Sequence, residues 1–229
     1  MATITSAQSG YWNAPGTWQG GVVPDLTVDD VVIAANHTVT TDGSALTLSA
    51  NRTITVFGEL KLETPLTVEG NASIDVHGSS LYVHNDLLVK GWFRLYEGAC
   101  AYVECSGSLI VANYAYLIVS YDALLVVSGD GRLTVRRYGV VYHVGTVHFD
   151  AGSQSDLFGP AWWMSEEADL YLGSGAVVRL YRGMSLAGRF ISEGGKIVML
   201  RRETCLSDAG GNSLFVCEQV YGHGPTLVA

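Results

Sequence analysis

From Ala101 onward, apolar residues come in pairs separated by one position, and the pairs recur every eight residues: Ala101/Val103, Leu109/Val111, Leu117/Val119, Leu125/Val127 and Leu133/Val135. A looser version precedes them at Ile54/Val56, Leu60/Leu62, Leu66/Val68, Ile74/Val76, Leu81/Val83, Leu87/Val89 and Phe93/Leu95. Side chains alternate across a strand, so residues i and i+2 share a face. Each pair therefore predicts a short strand with two side chains turned inward and one turned outward. Lys61, Thr67, Asp75, Tyr82 and Thr134 suit the outward place. Glycines punctuate the spacers, among them Gly58, Gly78, Gly107 and Gly131, where sharp corners need backbone shapes that other residues resist.

Short strands at a fixed spacing are the mark of a solenoid. Three units per turn, roughly 18–24 residues, place Ile54, Ile74, Phe93, Leu117 and Val141 in one stacked column. The expected fold is all-β, a right-handed parallel β-helix with an N-terminal capping segment. The alternative is an antiparallel β-sandwich, because strands at regular short spacing suit it too. Against it, two-residue hairpin signals are sparse (Asp42-Gly43 and Asp130-Gly131), and helical periodicity is nearly absent. Three regions of one domain are expected. Residues 1–50 form a cap and anchor, and 51–149 form the regular rungs. Residues 150–229 hold less regular rungs, at Leu170/Leu172, Val178/Leu180 and Ile197/Met199, and a closing segment after Thr204. The stretch Asp150–Asp169, with Pro160, Trp162 and Trp163, interrupts the period. Solenoid ends expose strand edges, and the two terminal regions are the natural covers.

Composition narrows the function classes. The 229 residues are 48% hydrophobic and 15% charged, too apolar for a disordered chain. The uncharged run Cys105–Tyr121 falls short of a membrane span and reads better as buried strands, so no membrane partner is expected. Net charge is −9, and residues 1–131 hold four basic against thirteen acidic side chains. An acidic body argues against nucleic acid, which needs a cationic surface. The arginines at 132, 136, 137, 179, 182, 189, 201 and 202 read as outward strand residues paired with local acids. The first residues carry neither a basic nor an apolar leader region, so production in the bacterial cytoplasm without a signal peptide is the expectation. Surplus apolar surface points to an oligomer.

The opening residues carry a pattern: Gly10-Tyr11-Trp12, then Gly16-Thr17-Trp18-Gln19-Gly20-Gly21-Val22-Val23-Pro24, then Asp29-Asp30-Val31-Val32-Ile33 and His37-Thr38-Val39-Thr40. This resembles the opening of many bacterial and phage right-handed β-helix proteins, including G8-type modules. There, two tryptophans and a Gly-x-x-Pro turn precede a strand of Asp-x-Val-x-Ile type. The likeness covers about 35 residues. Together with the β-helical body it implies a non-enzymatic structural protein of a phage particle, a head decoration or spike-like appendage. Such a protein would work by self-assembly, as a homotrimer, and by docking to other virion proteins. The alternatives are a glycan-binding or depolymerising tail spike module, with a host glycan as partner, and a bacterial surface or adhesin β-helix.

Candidate contact residues are Trp12, Trp18, Trp162 and Trp163, since aromatics enrich binding surfaces. Trp12 and Trp18 read first as a plug for the first rung, and Trp162 and Trp163 first as a flap packed on the solenoid flank. Cys205 and Cys217 flank a turn-like Ser207–Asn212 and form a candidate disulfide; Cys100 and Cys105 read as buried free thiols. Catalytic residues, a metal centre and cofactors are not expected. His37, His77, His84, His143, His148 and His223 show no HxH or HExxH spacing, and no CxxC pair occurs. Asp25, Asp29, Asp30 and Asp42 read as a solvated acidic face rather than a calcium site. The carboxylate pairs Asp75/Glu97 and Glu104/Asp122 would stack on neighbouring rungs, as outward residues of any solenoid do by chance.

Overall fold

The computed structural model describes residues 2–158, 161–181, 184–186 and 188–199. Beyond these it describes the short strands Cys205–Ser207, Ser213–Val216 and Thr226–Leu227. Strands recur in threes, each joining a different sheet. In one turn they are Thr53–Val56 in sheet 1, Glu59–Leu62 in sheet 2 and Leu66–Val68 in sheet 3. From turn to turn the pairing within each sheet is parallel and in register. The chain is thus a parallel β-helix and not an antiparallel sandwich. Antiparallel pairing between described strands is confined to Cys205–Ser207 with Ser213–Val216, and Lys196–Met199 with Thr226–Leu227.

The column expected from the apolar pairs is present. Ile54 pairs with Ile74, Ile74 with Phe93, Phe93 with Leu117, and Leu117 with Val141. All five are completely shielded from solvent. Each such side chain contributes about 1.5–3 kcal/mol when buried, so the stacked columns supply the main driving force. Some corners permit this stacking only with glycine. A Cβ on Gly107 would collide with the carbonyl oxygen of Val83 on the preceding turn. Rungs at Asp169–Leu172, Val177–Leu180 and Lys196–Met199 continue the sheets as expected.

Two features differ from the sequence reading. The first full turn, Asp30–Ile33, Thr38–Thr40 and Leu46–Leu48, already lies within residues 1–50. And the stretch 150–169 does not leave the helix: Gln154–Leu157 extends sheet 3 and Ala161–Met164 extends sheet 1. Its rung was hidden because Ser155 takes the inward place held by Leu133 before it and Val178 after it. Ser155 is fully buried and its hydroxyl accepts a hydrogen bond from the Leu133 backbone N–H at 3.3 Å.

The N-terminal residues cover the open end at all three sheets. Thr3–Thr5 pairs with Asp30–Val32 of sheet 1, and Gly10–Tyr11 with Val39–Thr40 of sheet 2. The carbonyl of Leu26 accepts from Ser49 N–H beside sheet 3. Such cover removes the exposed edges that invite another chain to add strands. Trp12 and Trp18 are 1% and 2% exposed, their rings 4.9 Å apart and edge to face. The indole Nε1–H of Trp18 donates to the Trp12 carbonyl at 2.7 Å. The aspartates nearby serve the same loops. Asp25 accepts from the backbone and hydroxyl of Thr27, which hold its pKa below the usual carboxylate value, and Asp42 accepts from Asn13.

Candidate functional site

Outward residues of a β-helix form ladders, because each rung repeats the register of the last. On sheet 1 one outward ladder reads Thr53, Ser73, Trp92, Tyr116, Val140, and the next reads Thr55, Asp75, Arg94, Ile118, Tyr142, Trp163. The face therefore changes character part-way along. Its early half is polar and closed by an ion pair: Arg94 donates to both carboxylate oxygens of Asp75, at 2.8 and 3.2 Å. Its later half is aromatic. Trp92 stacks on Tyr116 at 4.2 Å with planes 9° apart, and Arg94 lies 5.7 Å from the Trp92 ring centroid. Tyr142 and Trp163 are 47% and 52% exposed. At the adjoining corner Tyr114 and Tyr138, also exposed, stack at 5.1 Å. Between Tyr116 and Trp163 neither ladder holds a charged side chain among the described residues.

The four tryptophans singled out from sequence separate sharply. Trp163 stands on this open face. Trp162 points the other way, 4% exposed and stacked on Val141, and Trp12 and Trp18 are packed under the cap. Three of the four are therefore core residues: Trp12 and Trp18 lie under the cap, where the reading as a plug put them, and the expectation of a surface contact is corrected for Trp162. Trp92, Tyr116 and Tyr142 were not singled out, although their rung spacing places them on the same face.

A second constellation lies at the trailing edge of sheet 2. There Glu63, His84 and Glu104 follow three successive strands, Glu59–Leu62, Ser80–Val83 and Cys100–Val103. His84 Nδ1 is 2.6 Å from Glu63 Oε1, and Nε2 is 3.0 Å from Glu104 Oε1. Partial burial works against the charged imidazole, but hydrogen bonds and charge from the two glutamates outweigh it, and the His84 pKa lies above the usual histidine value. Cys105 adjoins this group. A ligand atom from each of His84, Glu104 and Cys105 lies within 4.8 Å of the others. Cys105 and Ser106 both have positive φ, 52° and 69°, and Gly107 N–H closes the turn on the Glu104 carbonyl at 2.8 Å. On the next rung the same place is held by Gly129, with φ 54°. Cys105 is exposed and Cys100 half-buried, so the reading of both as buried thiols is corrected. An open concavity of about 470 Å³ lies beside this turn, lined by Asp86, Ser106, Ser108, Asp130, Arg132 and Gln154.

No known family model matches this chain, and no curated protein matches it. Among solved structures the chain aligns with a hyper-glycosylated TibA fragment whose modification is catalysed by TibC. Identity is 12%, coverage is 90% of this chain and 94% of that one, and the TM-score is 0.19.

The remaining candidates from sequence are placed as follows. Asp75 faces Arg94, and Glu104 faces His84, so neither carboxylate pairs with another acid as Asp75/Glu97 or Glu104/Asp122 would require. Arg189 donates to both oxygens of Asp169, at 2.7 and 2.6 Å, and Arg179 lies 3.7 Å from Asp156. These are the local pairs expected of outward arginines. Arg182, Arg201 and Arg202 lie outside the described residues. The backbone of Cys205 enters an antiparallel ladder opposite Val216. Cys217 and the side chain of Cys205 lie outside the described residues.

Proposed function

We propose that this chain is a non-enzymatic structural β-helix that assembles with copies of itself, as a homotrimer, and docks as a head decoration or spike-like appendage on a phage particle. The observation that carries the reading is the later part of sheet 1, from Tyr116 to Tyr142 and Trp163, whose outward ladders hold no charged side chain among the described residues. Exposed rings such as Tyr142 and Trp163 suit an interface, where rigid side chains bury much area at little entropic cost. Charge argues for a second copy as its occupant. The chain carries a net charge of −9, so copies repel unless they meet on a surface without charge. This face is such a surface, and it repeats identically on every copy, as symmetric assembly requires. The opening segment, with its likeness to phage β-helix proteins, supports the particle.

The test is the solution mass of the full chain by light scattering after size exclusion. A species near three times 24.5 kDa is expected, and the double variant Tyr142→Ala/Trp163→Ala should elute as the single chain. A wild-type chain that stays monomeric at high concentration would overturn self-assembly. Affinity of that monomer for host polysaccharide, lost in the same double variant, would establish the glycan-binding alternative on the same face.

A further inference from the structure

We infer that His84, Glu104 and Cys105 form a binding site for a divalent transition-metal ion, zinc by its donor chemistry, with Glu63 orienting the histidine from behind. The inference is independent of the assembly proposal and uses a different sheet. Its first support is geometric. Two ligands each about 2 Å from a tetrahedral metal stand about 3.4 Å apart. His84 Nε2 and Glu104 Oε1 are already 3.0 Å apart, and one ring nitrogen of His84, one carboxylate oxygen of Glu104 and the Cys105 thiol lie within 4.8 Å of one another.

The second support is the partner of the other ring nitrogen. Metal-binding histidines usually hold their remaining N–H on a carboxylate, which fixes the tautomer and makes the ligand nitrogen more basic. Glu63 does this for His84, at 2.6 Å on Nδ1, leaving Nε2 directed at Glu104. The donors come from two consecutive turns and Glu63 from the turn before, so the rigid ladder sets their spacing. The third support is the turn. Cys105 adopts a left-handed conformation that favours glycine, and glycine holds the matching corner one rung later. A cysteine there gives up backbone ease and gains a thiol facing the His–Glu pair.

The donor set selects the metal class. A nitrogen, a carboxylate oxygen and a sulfur together suit zinc and its neighbours, whereas magnesium and calcium take oxygen alone. Three protein ligands leave a fourth position for water or for a group from another molecule. Binding deprotonates the Cys105 thiol and displaces the Nε2 proton that His84 donates to Glu104; both protons pass to solvent, and no redox step is involved.

Cobalt(II) serves as the probe, because its thiolate and tetrahedral complexes absorb light where the protein does not. Titration of the chelator-stripped full chain should give visible d–d bands and a sulfur-to-metal charge-transfer band that saturate at one ion per chain, and zinc should displace both. Cys105→Ser should remove the charge-transfer band, while Cys100→Ser and Cys205→Ser should leave it. His84→Ala should abolish binding. Glu63→Gln should weaken it about 10–100-fold. Cys105→Gly, which restores the residue found at position 129, should fold at least as well as the wild type and still lose the sulfur signal. It therefore decides the matter if His84→Ala fails to fold. Absence of saturable cobalt binding, or binding that survives Cys105→Gly with its charge-transfer band intact, would overturn the site.

Discussion

Trp162 and Trp163 are neighbours in the chain and face opposite media: Trp162 is 4% exposed and stacked on Val141, and Trp163 is 52% exposed and opposite Tyr142. Their substitutions should therefore separate stability from assembly. Trp162→Ala empties a place in the continuous inward column and should cost about 3–5 kcal/mol, read as a lowered midpoint in denaturant unfolding. Trp163→Ala removes only surface and should change stability by no more than about 0.5 kcal/mol, while weakening self-association. Equal losses of stability in the two variants would contradict the inward and outward assignment.

The inward columns were legible in the sequence because the helix interior is sealed, so each apolar-x-apolar pair turns both side chains inward and repeats at the rung length. Ile54, Ile74, Phe93, Leu117 and Val141 could be aligned before any coordinates, on rung length alone. Legibility failed where a polar residue entered the core. Ser155 broke the apolar rhythm, so the stretch around it looked irregular. A one-residue shift of register exchanges the two faces of a strand. Without the phase of that rung, nothing separated Trp162 from Trp163. The His84 group was hidden for a different reason. Its donors sit about one turn apart along the chain, a spacing set by corner lengths rather than by a motif. Glu104 and Cys105 suggested no site until His84 was placed beneath them.

Corner glycines should divide into two classes. Gly107 has no room: a Cβ there meets the Val83 carbonyl oxygen of the previous turn. Gly107→Ala should force adjacent rungs apart and cost about 1–3 kcal/mol. Gly78 has open space around it but a φ of 57°. Gly78→Ala should cost about 1 kcal/mol, from backbone conformation alone. Paired thermal melts measure the difference, and a Gly107→Ala protein as stable as Gly78→Ala would show that the rungs can separate at that corner.

The cap can be probed at one hydrogen bond. Trp18→Phe keeps a large ring against Trp12 but removes the Nε1–H that donates to the Trp12 carbonyl. That carbonyl is then left without its donor. A loss of about 1–3 kcal/mol is expected, with the strand signal in far-UV circular dichroism retained. Faster amide exchange should be confined to residues 3–5 and 10–11, whose ladders hold the cap to the first turn. An unchanged melting temperature would place the cap outside the cooperative unit.

His143 makes stability depend on pH. It occupies an inward place between Val119 and Met164, 1% exposed, where neither ring nitrogen has a hydrogen-bond partner of good geometry. Burial pushes its pKa down to about 4, against weaker upward pulls from the backbone at Gly145 and Asp169 and from the Asp169 carboxylate. In the unfolded chain a histidine titrates near pH ~6.5. Between ~6.5 and 4 the unfolded state therefore binds a proton that the folded state does not. Stability is full above that window and falls as the pH drops through it, by at most about 3 kcal/mol from this residue. His143→Leu continues the apolar column and removes both unpaired nitrogens. It should stabilise the fold at pH 8 and stabilise it further at pH 5, where the wild type has lost ground. Denaturant midpoints of both proteins at the two pH values make the comparison. Parallel pH dependence in the two proteins would mean that the imidazole finds a proton partner inside the helix, and that the core at this rung opens to water.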